Sequence, residues 1–470
     1  MNKYKNVSII IILFIVCFSS TIFVYFNCNE DAYKHMYILP PIFFICYVLF
    51  LRVGIKKFKE FNIIYTGISF IRYVLLPSLI VITNRYDGRS PEFPNNSSFE
   101  IAFLLMIIEI VACSVFIFLL SKSKKFNFNM DGNKEIVAPK NKLIYITFII
   151  FIALVCIIRP NLLKAFSFII PNNNMLTYEN FETIDQILLL SIIFGKQLFF
   201  LLICSSFYEK YLNNNKKIYI YFSGFAMLIN CFIYFGYNRS DFLMNLIASL
   251  LILVYMYKKN SKKFIKVFAI FGIISLVLIS QIRNYKSISK QKDYLYDITD
   301  NIQIYLAGPY DIAIAVETAY EFPEARDLKH LVFDFGRSTL GLNILFKNFD
   351  LYNSNKYFNM RLYRTDQATQ IMPMIGEGYF FFGMILSPLI EILFIFIAYT
   401  LKKNMIKSMK IEIVFFFTIT IIRIGFISGQ NASIQMNDLS FNLFLPLILY
   451  FFNNKLFYKR KGAESWRANY

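Results

Sequence analysis

Twelve stretches of this chain meet or approach the length of about 17 to 25 apolar residues that a helix needs to cross a bilayer. They run Ser8–Phe26, Met36–Leu51, Asn62–Thr83, Ile101–Leu120, Leu143–Ile158, Ile187–Phe207, Ile218–Tyr237, Phe242–Tyr257, Phe264–Gln281, Gly376–Leu401, Ile411–Ile427 and Phe441–Phe452. With 57% of 470 residues apolar and only 17% charged, too little polar surface remains for ordinary water-soluble domains. The expected class is an all-α polytopic membrane protein of about twelve transmembrane helices. The first stretch follows Lys3 and Lys5 as a signal peptide would, but it is too long and no small-x-small cleavage site follows. Cys17 lacks a lipoprotein-type flank as well, so the stretch reads as an uncleaved span.

A formal charge of +19 would point to nucleic acid in a soluble protein. Here the bases fall in alternate loops: Arg52 to Lys59, Lys122 to Lys142, Lys210 to Lys217, Lys258 to Lys266, Lys402 to Lys410, and the tail Lys455 to Arg467. By the positive-inside rule these loops and both termini are expected in the cytoplasm. The charge then meets anionic membrane lipids, and no basic domain remains for nucleic acid.

The alternation places one long polar segment outside, from Ile282 to Pro373, roughly ninety residues with nearly balanced charge. The expected organisation is an N-terminal bundle over 1–281, this large extracytoplasmic loop over 282–373, C-terminal helices over 374–453 and a basic tail over 454–470. Within the loop, short interfacial helices are expected. Asp300 is suited to cap Asn301 to Leu306, Pro309 to open a helix reaching Tyr320, and Ser338 to cap a run to Phe346. Leu331, Val332, Phe333, Phe335, Leu340 and Leu342 are apolar enough to rest on the bilayer surface.

The seven cysteines are scattered without metal-ligand spacing, and there is no Walker motif, HExxH or GxSxG. No metal and no cofactor is expected. What remains is a set of arginines near the outer ends of spans: Arg239, Arg283, Arg337, Arg361 and Arg364. A guanidinium fork matches phosphate oxygens, although Arg239 in Gly236-Tyr237-Asn238-Arg239-Ser240-Asp241 reads equally as a turn closed by Asp241. Arg72 and Arg423, inside apolar stretches, need partners such as Glu109, Glu391 or backbone carbonyls. Glu377, flanked by Gly376 and Gly378, is costly beside a span unless paired, or is an acidic first turn of a helix. His330 is one of only two histidines and is either a general base or plain surface.

Two segments, Gly236 to Phe242 and Pro373-x-x-Gly376-Glu377-x-Tyr379-x-x-x-Gly383, together with the architecture of spans and one large outer loop, resemble the bacterial Wzy-type polysaccharide polymerases of O-antigen and capsule. The resemblance implies a metal-independent glycosyltransferase of the C class. Its donor and acceptor would be undecaprenyl-pyrophosphate-linked oligosaccharides, with a chain-length regulator and a flippase as possible partners. It implies that Arg239, Arg283, Arg337, Arg361, Arg364 and Tyr379 bind pyrophosphate or substrate, and that Glu377, Asp366 and His330, in that order, are candidate bases. The alternatives are a lipid-linked oligosaccharide flippase, disfavoured by the absence of a halfway repeat, and an O-antigen ligase, whose His-x10-Gly spacing His330 and Gly341 reproduce.

Overall fold

The computed structural model describes residues 2–126, 128, 136–139, 141–168, 181–236, 239–257, 266–272, 274–275, 294–365 and 370–455. In chain order its main helices are α1 (Asn2–Asn27), α2 (Asp31–Lys57), α3 (Lys59–Thr83), α4 (Asn96–Lys122), α5 (Leu143–Ile158), α6 (Thr183–Asn214), α7 (Ile218–Phe232) and α8 (Arg239–Tyr257). They continue with α9 (Tyr294–Tyr305), α10 (Pro309–Glu321), α11 (Leu328–Arg337), α12 (Ser354–Tyr363), α13 (Met374–Leu386), α14 (Leu389–Ser408), α15 (Ile411–Gly425) and α16 (Ala432–Leu439). The all-helical expectation is broken among the described residues by a short antiparallel ribbon, β1 (Phe166–Phe168) on β2 (Ile233–Phe235), with Ser167 opposite Tyr234, and by an isolated bridge between Val137 and Lys410.

Among the described residues five helices are long and apolar enough to cross a membrane: Val7–Asn27, α2, α3, α4 and Ile184–Asn214. A sixth arises if α13 and α14, bent by 104° at their junction, are one broken span. The apolar stretches at α5, α7 and Phe242–Tyr257 form shorter helices, and half of Phe264–Gln281 lies outside the described residues. The chain is a helical membrane protein.

Contacts group the chain into two compact units. The first comprises Met1–Asn129, Gln291–Lys403 and Ile421–Leu439; the second comprises Met130–Lys290, Asn404–Thr420 and Ser440–Tyr470. In the second unit α6 packs along α7 and α5, and α7 along α8. Ile152, Leu162, Ala165 and Leu189 form an apolar cluster there.

The first unit is organised around α10, which packs on α4, α13 and α12. Gly308 precedes it, Pro309 starts it and Asp311 lies in its first turn, as the sequence predicts for a helix N-terminus. Every residue from Pro309 to Ala319 is buried, so this is a core helix apolar on most faces, where a surface helix was expected. Its alanines permit the approach: a side-chain carbon added at Gly376 of α13 would sit 2.5 Å from Ala315 Cβ.

Three local expectations are corrected. Asp300 does not cap a helix, because α9 starts six residues earlier, at Tyr294. Its carboxylate instead binds Arg85 at 2.7 Å and Arg89 at 2.8 Å. Ser338 ends a helix where it was expected to begin one. Asp327 accepts the His330 N–H at 2.9 Å and starts α11, so the helix occupies Leu328–Arg337 and Ser338 is its C-cap. Phe333, expected on the bilayer surface, is buried, whereas Val332, Leu340 and Leu342 are exposed.

Two cations inside apolar helices find partners. Arg72 pairs with Glu109, as expected, and its Nε donates to Ala307 O at 2.8 Å. Arg423 pairs with Asp438 of α16 at 2.8 Å, in place of the expected Glu109 or Glu391. Asp438 lies fifteen residues away across a chain reversal, which no helical spacing shows.

The bend at α13–α14 depends on two glycines. Gly383 holds φ +74°, a left-handed conformation that suits glycine. At Gly378 an added Cβ would fall 1.8 Å from Ser387 O, so the folded-back chain needs a bare backbone there. Gly378→Ala is expected to destabilise the protein by more than about 3 kcal/mol, because backbone cannot yield as a side chain end can. Thermal unfolding in detergent checks this, and a wild-type transition for the variant would refute it.

Candidate functional site

Two buried carboxylates meet where α11, α12, α13 and α16 converge in the first unit. Glu377, in the first turn of α13, is fully buried; its Oε1 accepts from Ser354 Oγ at 3.0 Å and its Oε2 from the Ala432 N–H at 2.7 Å. Asp334 of α11, 1% exposed, accepts the Ser354 N–H at 3.0 Å. Ser354 thus bridges the two acids, its backbone to one and its hydroxyl to the other. Ser433 of α16 donates to the Asp334 carbonyl at 3.3 Å. Glu377 is therefore held by hydrogen bonds, with no cation beside it among the described residues, and its acidic first-turn position is part of the arrangement.

Asp334 borders a cavity of about 300 Å³, lined also by Arg337, Ser338, Asn353, Ser433, Ile434 and Asn437. Burial pushes its carboxyl up to about 6, against the two Ser354 hydrogen bonds and the nearby His330, which pull it down. Such a group is largely ionised at neutral pH and basic enough to accept a proton. Arg337, one helical turn from Asp334, is exposed. Its guanidinium lies 5.5 Å from the Phe333 ring centroid, and among the described residues no carboxylate pairs with it.

The chain between the cavity-lining residues Ser338 and Asn353 forms a loop in which Phe346 packs on Phe333 while several other apolar side chains are exposed. Ile344 is 74% and Leu345 68% exposed, and Leu342 and Phe349 are exposed beside them. Exposed apolar side chains thus lie on the chain that links two residues of a polar cavity holding one acid and one guanidinium.

The other expected site residues fall in different places. Arg361 is buried, paired with Glu317 of α10, and within 3.0 Å of Glu321. Arg364, at the left-handed C-cap of α12, binds Glu92 at 2.5 Å and Glu321 at 2.7 Å. These two arginines do come together, but their charges are already met by three acids. Breaking the Arg361–Glu317 pair would strand a buried charge, a cost of about 3–5 kcal/mol. Tyr379 is buried, donates to Tyr320 Oη at 3.2 Å and lies under Arg326. His330 is occupied on both sides, with Nδ1 2.6 Å from Asp327 and Nε2 3.5 Å from Tyr357 Oη. Arg239 opens α8 in the second unit, and its side chain, like Arg283 and Asp366, lies outside the described residues.

Sequence reasoning missed Asp334, Ser354, Arg85 and Arg89. A signal for the first was present: Asp334 and Arg337 stand at i,i+3, the spacing that puts both on one helix face. Their neighbours Phe333 and Phe335 drew attention to membrane contact instead.

These features define a helical membrane protein with a buried acid and an exposed guanidinium at one polar cavity. No family model matches the chain, and no curated protein or solved structure is significantly similar to it.

Proposed function

We propose that the chain joins undecaprenyl-pyrophosphate-linked oligosaccharide repeat units into a surface polysaccharide, O-antigen or capsule, as a metal-independent glycosyltransferase. The observation that carries this reading is the cavity itself: a guanidinium without a carboxylate partner among the described residues and a basic carboxylate lie in one polar space, two of whose lining residues are linked by chain bearing exposed apolar side chains. A lipid-linked diphosphate sugar has the matching parts. The donor's diphosphate meets Arg337, the acceptor hydroxyl of a second lipid-linked unit meets Asp334, and the donor's lipid lies against Ile344 and Leu345. In the reaction the acceptor oxygen forms a bond to the donor's anomeric carbon while the bond from that carbon to the diphosphate oxygen breaks. The acceptor proton passes to Asp334, and undecaprenyl pyrophosphate departs with its charge stabilised by the guanidinium. Glu377 and Ser354 position Asp334.

The same reading includes twelve spans, both termini in the cytoplasm and residues 282–373 at the outer face, supported by the alternation of basic loops. It places the protein in a bacterial inner membrane with a flippase supplying substrate and a chain-length regulator beside it. The test is reconstitution of the purified protein in liposomes with the undecaprenyl-pyrophosphate-linked repeat unit alone. A ladder of longer glycans is the expected product. Translocation of single units without elongation would make the protein a flippase, and transfer only when a lipid-core acceptor is added would make it a ligase; either result overturns the proposal.

A further inference from the structure

A second cavity, of about 370 Å³, lies in the first unit and is lined by Glu92, Phe93, Tyr320, Glu321, Arg361 and Arg364 among others. Its chemistry differs from that of the Asp334 cavity. With Glu317 it holds three carboxylates and two guanidiniums, a formal balance of two minus three, or −1. Arg364 is gripped from two sides: Nε and Nη2 bind Glu92 at 3.0 and 2.5 Å, and Nη1 and Nη2 bind Glu321 at 2.7 and 2.9 Å. Arg361 binds Glu317 and donates to Ser90 Oγ at 3.3 Å. A phosphate entering here would have to displace carboxylates and would meet like charge.

An uncharged sugar ring faces no such penalty. Ionised carboxylates accept several hydrogen bonds each, so those already holding arginines keep lone pairs for hydroxyl groups. The ion pairs fix these acceptors before a ligand arrives, which lowers the ordering cost of binding. Two aromatic faces are open: Tyr320 is 58% and Phe93 43% exposed. Tyr320 is also anchored, since its Oη accepts the hydrogen bond from Tyr379. Rings of this kind present an apolar face for the C–H side of a sugar and a polar tip for its hydroxyls.

The two cavities are joined by α12. Asn353, immediately before it, lines the Asp334 cavity, and Arg361 and Arg364, at its end, line the second. Ten helical residues separate them by about 15 Å, a few sugar rings.

We propose that the Glu92–Glu321–Arg364 cavity is a carbohydrate subsite, which grips sugar hydroxyls through arginine-fixed carboxylates and stacks a ring on Tyr320 or Phe93. Only the identity of that sugar, as part of a lipid-linked glycan reacting at Asp334, rests on the proposed function. Arg361 and Arg364 thereby act as organisers of acceptors, in place of the diphosphate-binding role that the family resemblance implies for them.

The test uses the full-length protein in lipid nanodiscs against an array of neutral, amino and uronic-acid oligosaccharides. The wild type is expected to bind at least one neutral or amino oligosaccharide. Glu321→Gln should weaken that binding about tenfold or more, the worth of a hydrogen bond to a charged group, and Tyr320→Ala, which removes the stacking ring, should weaken it about tenfold. Tyr320→Phe should keep most of it, and millimolar inorganic pyrophosphate should not compete. The proposal is overturned if the wild type binds no oligosaccharide, if Tyr320→Ala and Glu321→Gln bind as well as wild type, or if pyrophosphate competes and the competition is lost in Arg364→Ala. Oligosaccharide binding with these losses, in a protein that makes no ladder in liposomes, would sink the polymerase reading and leave the subsite standing. A ladder unaffected by Tyr320→Ala, with no oligosaccharide bound, would do the reverse.

Discussion

Arg337→Ala is expected to cut elongation by about 10²- to 10³-fold while leaving the protein inserted and folded. The size of the loss follows from the chemistry of the step. A diphosphate leaving group develops charge as the glycosidic bond breaks, and the guanidinium is the cation lining the Asp334 cavity. The fold is spared because the side chain is exposed and, among the described residues, holds no carboxylate whose charge would be stranded. Arg337→Lys should recover part of the rate, since an ammonium restores charge but not the two-pronged geometry. The measurement is ladder formation by purified variants in liposomes, alongside thermal unfolding in detergent. An alanine variant that elongates at the wild-type rate would remove Arg337 from the reaction.

The second large effect concerns Asp334. As the base it must be ionised, so elongation should rise with pH through about 6, level off above about 7 and fall about tenfold for each pH unit below the midpoint. The groups facing it are His330 on its own helix, Ser354 of α12 and Glu377 of α13, so the profile belongs to this cluster. Asp334→Asn should lose about 10²- to 10⁴-fold at every pH.

Stability should move the other way. The folded carboxyl titrates at about 6 against an ordinary 3.8, so the folded state binds the extra proton. The stabilisation from this raised value is fully present below 3.8 and is lost as pH rises through about 6. At neutral pH the ionised acid costs the fold up to about 3 kcal/mol, since raising a pKa by one is worth about 1.36 kcal/mol. The asparagine variant should therefore unfold at or above the wild-type temperature at neutral pH while being inactive. A variant both inactive and much less stable would make Asp334 a structural residue.

Much of the architecture was legible along the chain because it is set by local properties. Apolar runs of membrane-spanning length appear as α2, α3, α4 and α6, and Pro309 opens a helix where its fixed φ and missing N–H belong. Arg72 was legible as a cation needing a buried acid, and Glu109 is the acid it found. The local signals failed where they competed: Asp300 has a capping side chain, but two guanidiniums from the turn after α3 claim it.

By itself the sequence determined the solvent and the helical class, since hydropathy and helical period are properties of neighbouring residues. Only the tertiary structure decided which charges cancel and which remain available. Arg361 and Glu317 stand forty-four residues apart, and Glu377 and Ala432 fifty-five. Several acids could have answered each arginine. Packing of α10 against α12 neutralised Arg361, packing of α11 against α16 left Arg337 exposed beside a buried acid, and no pattern along one strand of chain carries that difference.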